Sequence, residues 1–144
     1  MHISFAVFAD AANLSQEGKL NVLGIFDALH VAGFPSVHPR THFVLRFKGT
    51  QSDVGKHTLI FRWVNPQGTE LWQTAGELQL DAGQPAALDA GFEIDLPVIA
   101  VVDLPIDGPG QYSMHVDLDH TPVTRVTLVV GGTVGKMPTV GLMS

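Results

Sequence analysis

The sequence predicts an all-β chain folded as an antiparallel β-sandwich, with a small β-barrel as the alternative way to close it. Three observations carry this. Apolar residues recur at every second position in several runs, turn-forming residues separate the runs at short intervals, and no window repeats apolar residues at helical spacing. Both architectures share that signature. The 144 residues are 45% hydrophobic and 15% charged, with mean hydropathy +0.22, which excludes a disordered chain and fits one domain around one core.

The first strand, residues 2–9, alternates from Ile3 to Ala9. No basic start or cleavage site accompanies it, so a secretory signal is not expected and a cytoplasmic location is. Ser15-Gln16-Glu17-Gly18-Lys19 leads into a long strand, 19–31. There Leu23, Ile25, Leu29 and Val31 fall on one side and Val22 and Phe26 on the other. Gly24 between them marks a bulge or a strand covered on both faces. In 41–48, Phe43, Leu45 and Phe47 alternate with His42, Arg46 and Lys48; in 57–65, Leu59, Phe61 and Trp63 alternate with Thr58 and Arg62. Asn65-Pro66-Gln67-Gly68 has turn residues at the right places for a hairpin into 69–80. Ala82–Ala90, with Gly83 and Pro85, holds at most one helical turn.

The strand at 92–102 contains Leu96-Pro97-Val98-Ile99-Ala100-Val101-Val102, apolar on consecutive positions. Pro97 has no amide to donate, which puts this run at a sheet edge or bulge, and an apolar edge is a template for another chain. Asp107-Gly108-Pro109-Gly110 precedes 111–118, where Tyr112, Met114, Val116 and Leu118 alternate with Ser113, His115 and Asp117. Asp119-His120-Thr121-Pro122 joins it to 123–130. The count is about eight strands in a domain of residues 1–130. Residues 131–144 form a Gly-rich tail in which Val134, Met137, Val140 and Leu142 fit a docking arm as well as a frayed end.

Charge and composition exclude more than they assign. Residues 1–62 carry six Lys/Arg against four acids, whereas 63–124 carry ten acids and no Lys or Arg. Such a surface repels phosphate backbones and anionic membranes. The acidic half could instead bind a hard cation or complement a basic region during association. Without cysteine there is no disulfide, thiolate metal site or thiol nucleophile. No Gly-x-Ser-x-Gly elbow and no glycine phosphate loop occurs, and Glu93 and Asp95 alternate like ordinary surface carboxylates, so no enzyme and no cofactor are expected.

Weak metal candidates are His115, Asp117, Asp119 and His120. Three of them project from one strand face, but at about 6.6–7 Å intervals, long for ligands of one ion. His38 and His42 lie four apart, but Pro39 disfavours the helix such a pair needs. Trp63, Trp72 and Tyr112 could stack on a sugar, yet each shares the parity of core residues.

Several segments carry a resemblance over nearly the whole chain to Val130. They are Phe5-Ala6-Val7-Phe8-Ala9-Asp10-Ala11-Ala12-Asn13, Gly18-Lys19-Leu20-Asn21-Val22-Leu23-Gly24-Ile25-Phe26-Asp27, Phe34-Pro35 with His38-Pro39, Asn65-Pro66-x-Gly68-x-Glu70-Leu71, and Pro109-Gly110-x-Tyr112. The chain resembles a family of small bacterial proteins classed only as a domain of unknown function. That resemblance implies a single cytoplasmic β domain and brings no catalytic residue, cofactor or partner. The residues themselves point to a non-catalytic binding or assembly module. It would form a homo-oligomer or take a protein partner through sheet edges and apolar surface, with Leu96, Val98, Ile99 and Val101 and the tail residues as contacts. A sugar- or calcium-binding sandwich is the alternative.

Overall fold

Two sheets share out the strands that the alternation builds. The computed structural model describes residues 1–81 and 94–132. Among them nine strands run β1 (His2–Leu14), β2 (Leu20–Phe26), β3 (Ala28–Val31), β4 (Ser36–Gly49), β5 (Gly55–Val64), β6 (Glu70–Leu80), β7 (Ile94–Ile106), β8 (Gly110–Leu118) and β9 (Thr121–Gly132), with one 3₁₀ turn at Gln51–Asp53. One sheet has the order β2-β1-β4-β7 and the other β3-β9-β8-β5-β6. Among the described residues neither sheet closes on itself, so the architecture is a sandwich and not a barrel. No helix among the described residues is long and apolar enough to cross a membrane.

The inner faces are the alternating positions. Phe43, Leu45 and Phe47 of β4 meet Trp63 of β5, Leu104 and Ile106 of β7 and Tyr112, Met114 and Val116 of β8 in one buried cluster. Rings fit edge to face where the sheets meet, Phe43 against Phe61 at 5.2 Å and Phe8 against Trp63 at 6.0 Å.

Several boundaries differ from the sequence reading, each because of what lies alongside in the fold. The expected strand 19–31 is two strands, because the chain changes sheets at Asp27. β2 pairs with β1, and β3 then runs parallel to β9, its entry fixed by the Val129 amide donating to the Asp27 carbonyl. The sandwich is therefore antiparallel except for this pair. β4 starts at Ser36, five residues early, because a bulge at Pro39-Arg40 restores its phase. Arg40 takes φ +54°, and its amide donates to Asp103 Oδ1 at 2.9 Å. β1 continues to Leu14 and β7 to Ile106 because β2 and β4 lie alongside to pair with them. β9 ends at Gly132, two residues past the expected domain end. The anticipated single turn at Ala82–Ala90 and the tail contacts Val134, Met137, Val140 and Leu142 lie outside the described residues.

The hairpin at Asn65 forms as the turn residues require. Gly68 has φ +84°, and Asn65 Oδ1 accepts from the amides of Gln67 and Thr69. Its Nδ2 reaches across to Asp107 Oδ2 at 2.8 Å. Asp107 belongs to a second knot, in which the buried Tyr112 hydroxyl accepts from the amides of Asp107 and Gly108. Trp63 stacks on the Tyr112 ring at 5.3 Å and donates its indole N–H to the Pro105 carbonyl. A tyrosine at the start of a strand, bonded back to its own approach turn beside a buried tryptophan, is the corner of immunoglobulin-type sandwiches. The orders β9-β8-β5 and β4-β7 are those of that fold's two sheets.

Candidate functional site

The two outer faces of the sandwich have opposite character, and the site candidates follow from that difference. In β8 the outward positions are Ser113, His115 and Asp117, an ordinary wet face. In the four-stranded sheet the outward positions are apolar. The register lines up Val7, Val44 and Ile99 across β1, β4 and β7, and in the next outward row Ile25, Ala9, His42 and Val101. Leu23 adds to it on β2. Relative exposures of 69% for Leu23, 62% for Ile25 and 55% for Val101 put apolar surface on both outer strands of this sheet, β2 and β7, while Ala9 and Val44 on the strands between them are fully covered.

 The rim carries charge of both signs, paired within the chain: Arg46 and Lys48 approach Asp95 at 3.2 and 3.8 Å, and the Arg46 guanidinium lies over the Phe5 ring at 5.7 Å.

The β7 contacts anticipated from sequence divide between the two faces. β7 is an edge strand among the described residues, as Pro97 requires. Ile99 and Val101 point outward onto the apolar patch. Leu96 and Val98 point inward and pack against the core, so they hold the sandwich together and offer little surface. Val98 also lines an apolar cleft of about 350 Å³ between β6 and β7, with Leu59, Phe61 and Leu78.

The four metal candidates are not brought together, and among the described residues no group of three or more His, Cys, Asp or Glu could hold an ion. Each faces its own partner. His115 Nε2 lies 3.0 Å from Ser113 Oγ, and Asp117 accepts from Arg62. Asp119 accepts from the Thr58 amide at 2.9 Å and lies 2.6 Å from His57 Nδ1, while His120 occupies the exposed β8–β9 turn. His38 bonds Thr41 and stacks on Phe26, away from His42. Nor do the aromatics share an exposed platform: Trp63 and Tyr112 are fully buried, and Trp72 is half-buried against the core.

Sequence reasoning missed His57. Its Nδ1 faces the Asp119 carboxylate and its Nε2 the Asp53 carbonyl, both at 2.6 Å. Two acceptors on one ring require both nitrogens to carry hydrogen, so the imidazolium is the fitting form. The Asp119 hydrogen bond, then the Asp53 carbonyl, raises the His57 pKa above its ordinary value. The contact joins residues 62 apart in the chain, and no spacing rule could have found it.

Comparison with known proteins adds a family and little else. No curated protein matches the chain. Among solved structures, an immunoglobulin-like protein from Pseudomonas aeruginosa is similar at 14% identity over 90% of this chain and 95% of that one, with a TM-score of 0.38. A likeness that loose carries no argument about role. The sequence profile of a family of unknown function (DUF6941) matches residues 4–131, and the chain belongs to that family.

Proposed function

We propose that this protein is a non-catalytic assembly module that pairs with a second copy of itself through the outer face of the four-stranded sheet. The observation that carries the reading is the contrast between the two outer faces, one wet and one apolar, within a single chain. The exposed apolar side chains Leu23, Ile25 and Val101 offer well under the ~800 Å² per partner of a stable interface, which suits a weak dimer. A second copy fits better than a charged partner. The rim charges are already paired, so two faces related by a two-fold axis bring apolar centre to apolar centre without repulsion.

Sedimentation velocity over a concentration series tests this. The expected result is a monomer–dimer equilibrium in the micromolar range, abolished in the double variant Ile25→Lys, Val101→Lys with its melting temperature kept, since both side chains are exposed. A wild-type chain that stays monomeric at about 1 mM, or a dimer indifferent to both lysines, overturns the proposal.

A further inference from the structure

The wet face of the five-stranded sheet carries one row that folding does not explain. The register sets Arg62 of β5 opposite His115 of β8, and His115 opposite Arg125 of β9. Cross-strand neighbours stand about 4.5–5.5 Å apart at Cβ, so the two arginines flank His115 on a line about 10 Å long. Asp117 answers only one of them, accepting from Arg62 Nη2 at 3.2 and 3.3 Å. Arg62 Nε is buried with no hydrogen-bond partner, and Arg125 has no ion-pair partner among the described residues.

His115 responds to this crowding. Burial pushes its pKa down, and Arg62 and then Arg125 push it further, with Asp117 pulling the other way. His115 Nε2 lies 3.0 Å from the Ser113 hydroxyl. The row lines an open depression of about 580 Å³, together with Asn65 and Pro66 of the β5–β6 turn, Glu70, Gln111 and Ser113.

We propose that this depression is a binding site for a small carboxylate ligand, its carboxylate seated between Arg62 and Arg125 above His115. An anion there gives both guanidinium forks a charge-assisted acceptor and removes the repulsion along the row. Each guanidinium presents a planar fork of N–H donors that a planar carboxylate matches with two parallel hydrogen bonds, and Asp117 occupies only one edge of the Arg62 fork. Ser113 and Gln111 supply neutral hydrogen bonds for the remainder of the ligand. Nothing in this site touches the apolar face of the other sheet, so it stands or falls independently of dimerisation.

NMR of the histidine side chains tests it, with glutarate and inorganic phosphate as probes and ionic strength held constant with chloride. Glutarate is expected to give saturable shifts at His115 and to raise the His115 pKa. The groups facing that ring are Arg62 on β5, Ser113 and Asp117 on β8 and Arg125 on β9, so the added negative charge is the cause to be read. Arg125→Gln, at an exposed position, is expected to weaken glutarate roughly tenfold with the melting temperature unchanged. Arg40→Gln, on the other sheet, is expected to leave it unchanged. Shifts that follow ionic strength alone, or that survive Arg125→Gln, overturn the site. Phosphate binding more tightly than glutarate overturns the carboxylate assignment.

Discussion

Removing one oxygen from the core, in Tyr112→Phe, isolates the polar knot that closes the sandwich. The phenol ring stays, keeping its stack on Trp63, so no cavity opens and the cost is confined to hydrogen bonds. The hydroxyl accepts from the Asp107 and Gly108 amides, both at 2.9 Å, and lies 2.6 Å from Asp107 Oδ1. Its loss strands two amides and deprives a carboxylate of a donor. Asp107 borders solvent, so water replaces part of this, and a cost of roughly 2–3 kcal/mol follows from about 1–3 kcal/mol per unsatisfied group. Unfolding entropy near 2.1 cal/mol/K per residue over 144 residues gives about 0.3 kcal/mol/K, so the melting temperature falls by roughly 7–10 °C.

Urea denaturation should show a lower midpoint with an unchanged slope. Hydrogen bonds from Tyr112 first and Asn65 second hold the Asp107 carboxyl below its ordinary pKa. The cost of Asp107→Ala should therefore shrink by about 1 kcal/mol in the Tyr112→Phe background. A loss under about 0.5 kcal/mol, or additive costs, would refute the closure argument.

His57 and Gly24 yield two further expectations. The His57 pKa is raised, so its contribution is complete below its ordinary value of 6.5 and is lost as pH rises through the folded value. Asp119 is lowered, by its His57 bond first and the Thr58 amide second, so its contribution is lost as pH falls below 3.8 and through the folded value. The stability gap between wild type and His57→Gln should be widest at about pH 4–6.5 and narrow above it; a gap independent of pH contradicts the clamp. Gly24 has φ +70°, and a Cβ there would run into the Asp10 carboxylate. Gly24→Ala should cost about 1–3 kcal/mol in urea unfolding, partly recovered by Asp10→Ala; full recovery would show that the backbone conformation carries no strain.

Strand existence was legible because the inner faces obey a period of two without exception in β5 and β8. The Pro97 edge was legible because a missing amide donor leaves few places for it. What escaped depends on contacts between distant residues. The sheet change at Asp27 needs β9 to receive it, and the bulge at Arg40 needs Asp103, 63 residues away, to hold its amide. The same limit applies to function. Parity groups Leu23 with Ile25, but only the register reveals that Val7, Val44 and Ile99 continue their surface, and that Arg62, His115 and Arg125 stand in line.

The two outer faces act as each other's control. β8 proves that this chain can write a strand with one wet side: Gln111, Ser113, His115 and Asp117 all occupy its outward positions. Where strands instead leave Leu23, Ile25 and Val101 exposed, solubility alone does not account for the choice, because each could be Thr or Lys with little loss of buried surface. Leaving Leu23, Ile25 and Val101 exposed carries a standing risk of non-specific association that charged residues would remove. The paired Arg46–Lys48–Asp95 rim limits that risk to surfaces that are themselves flat and apolar.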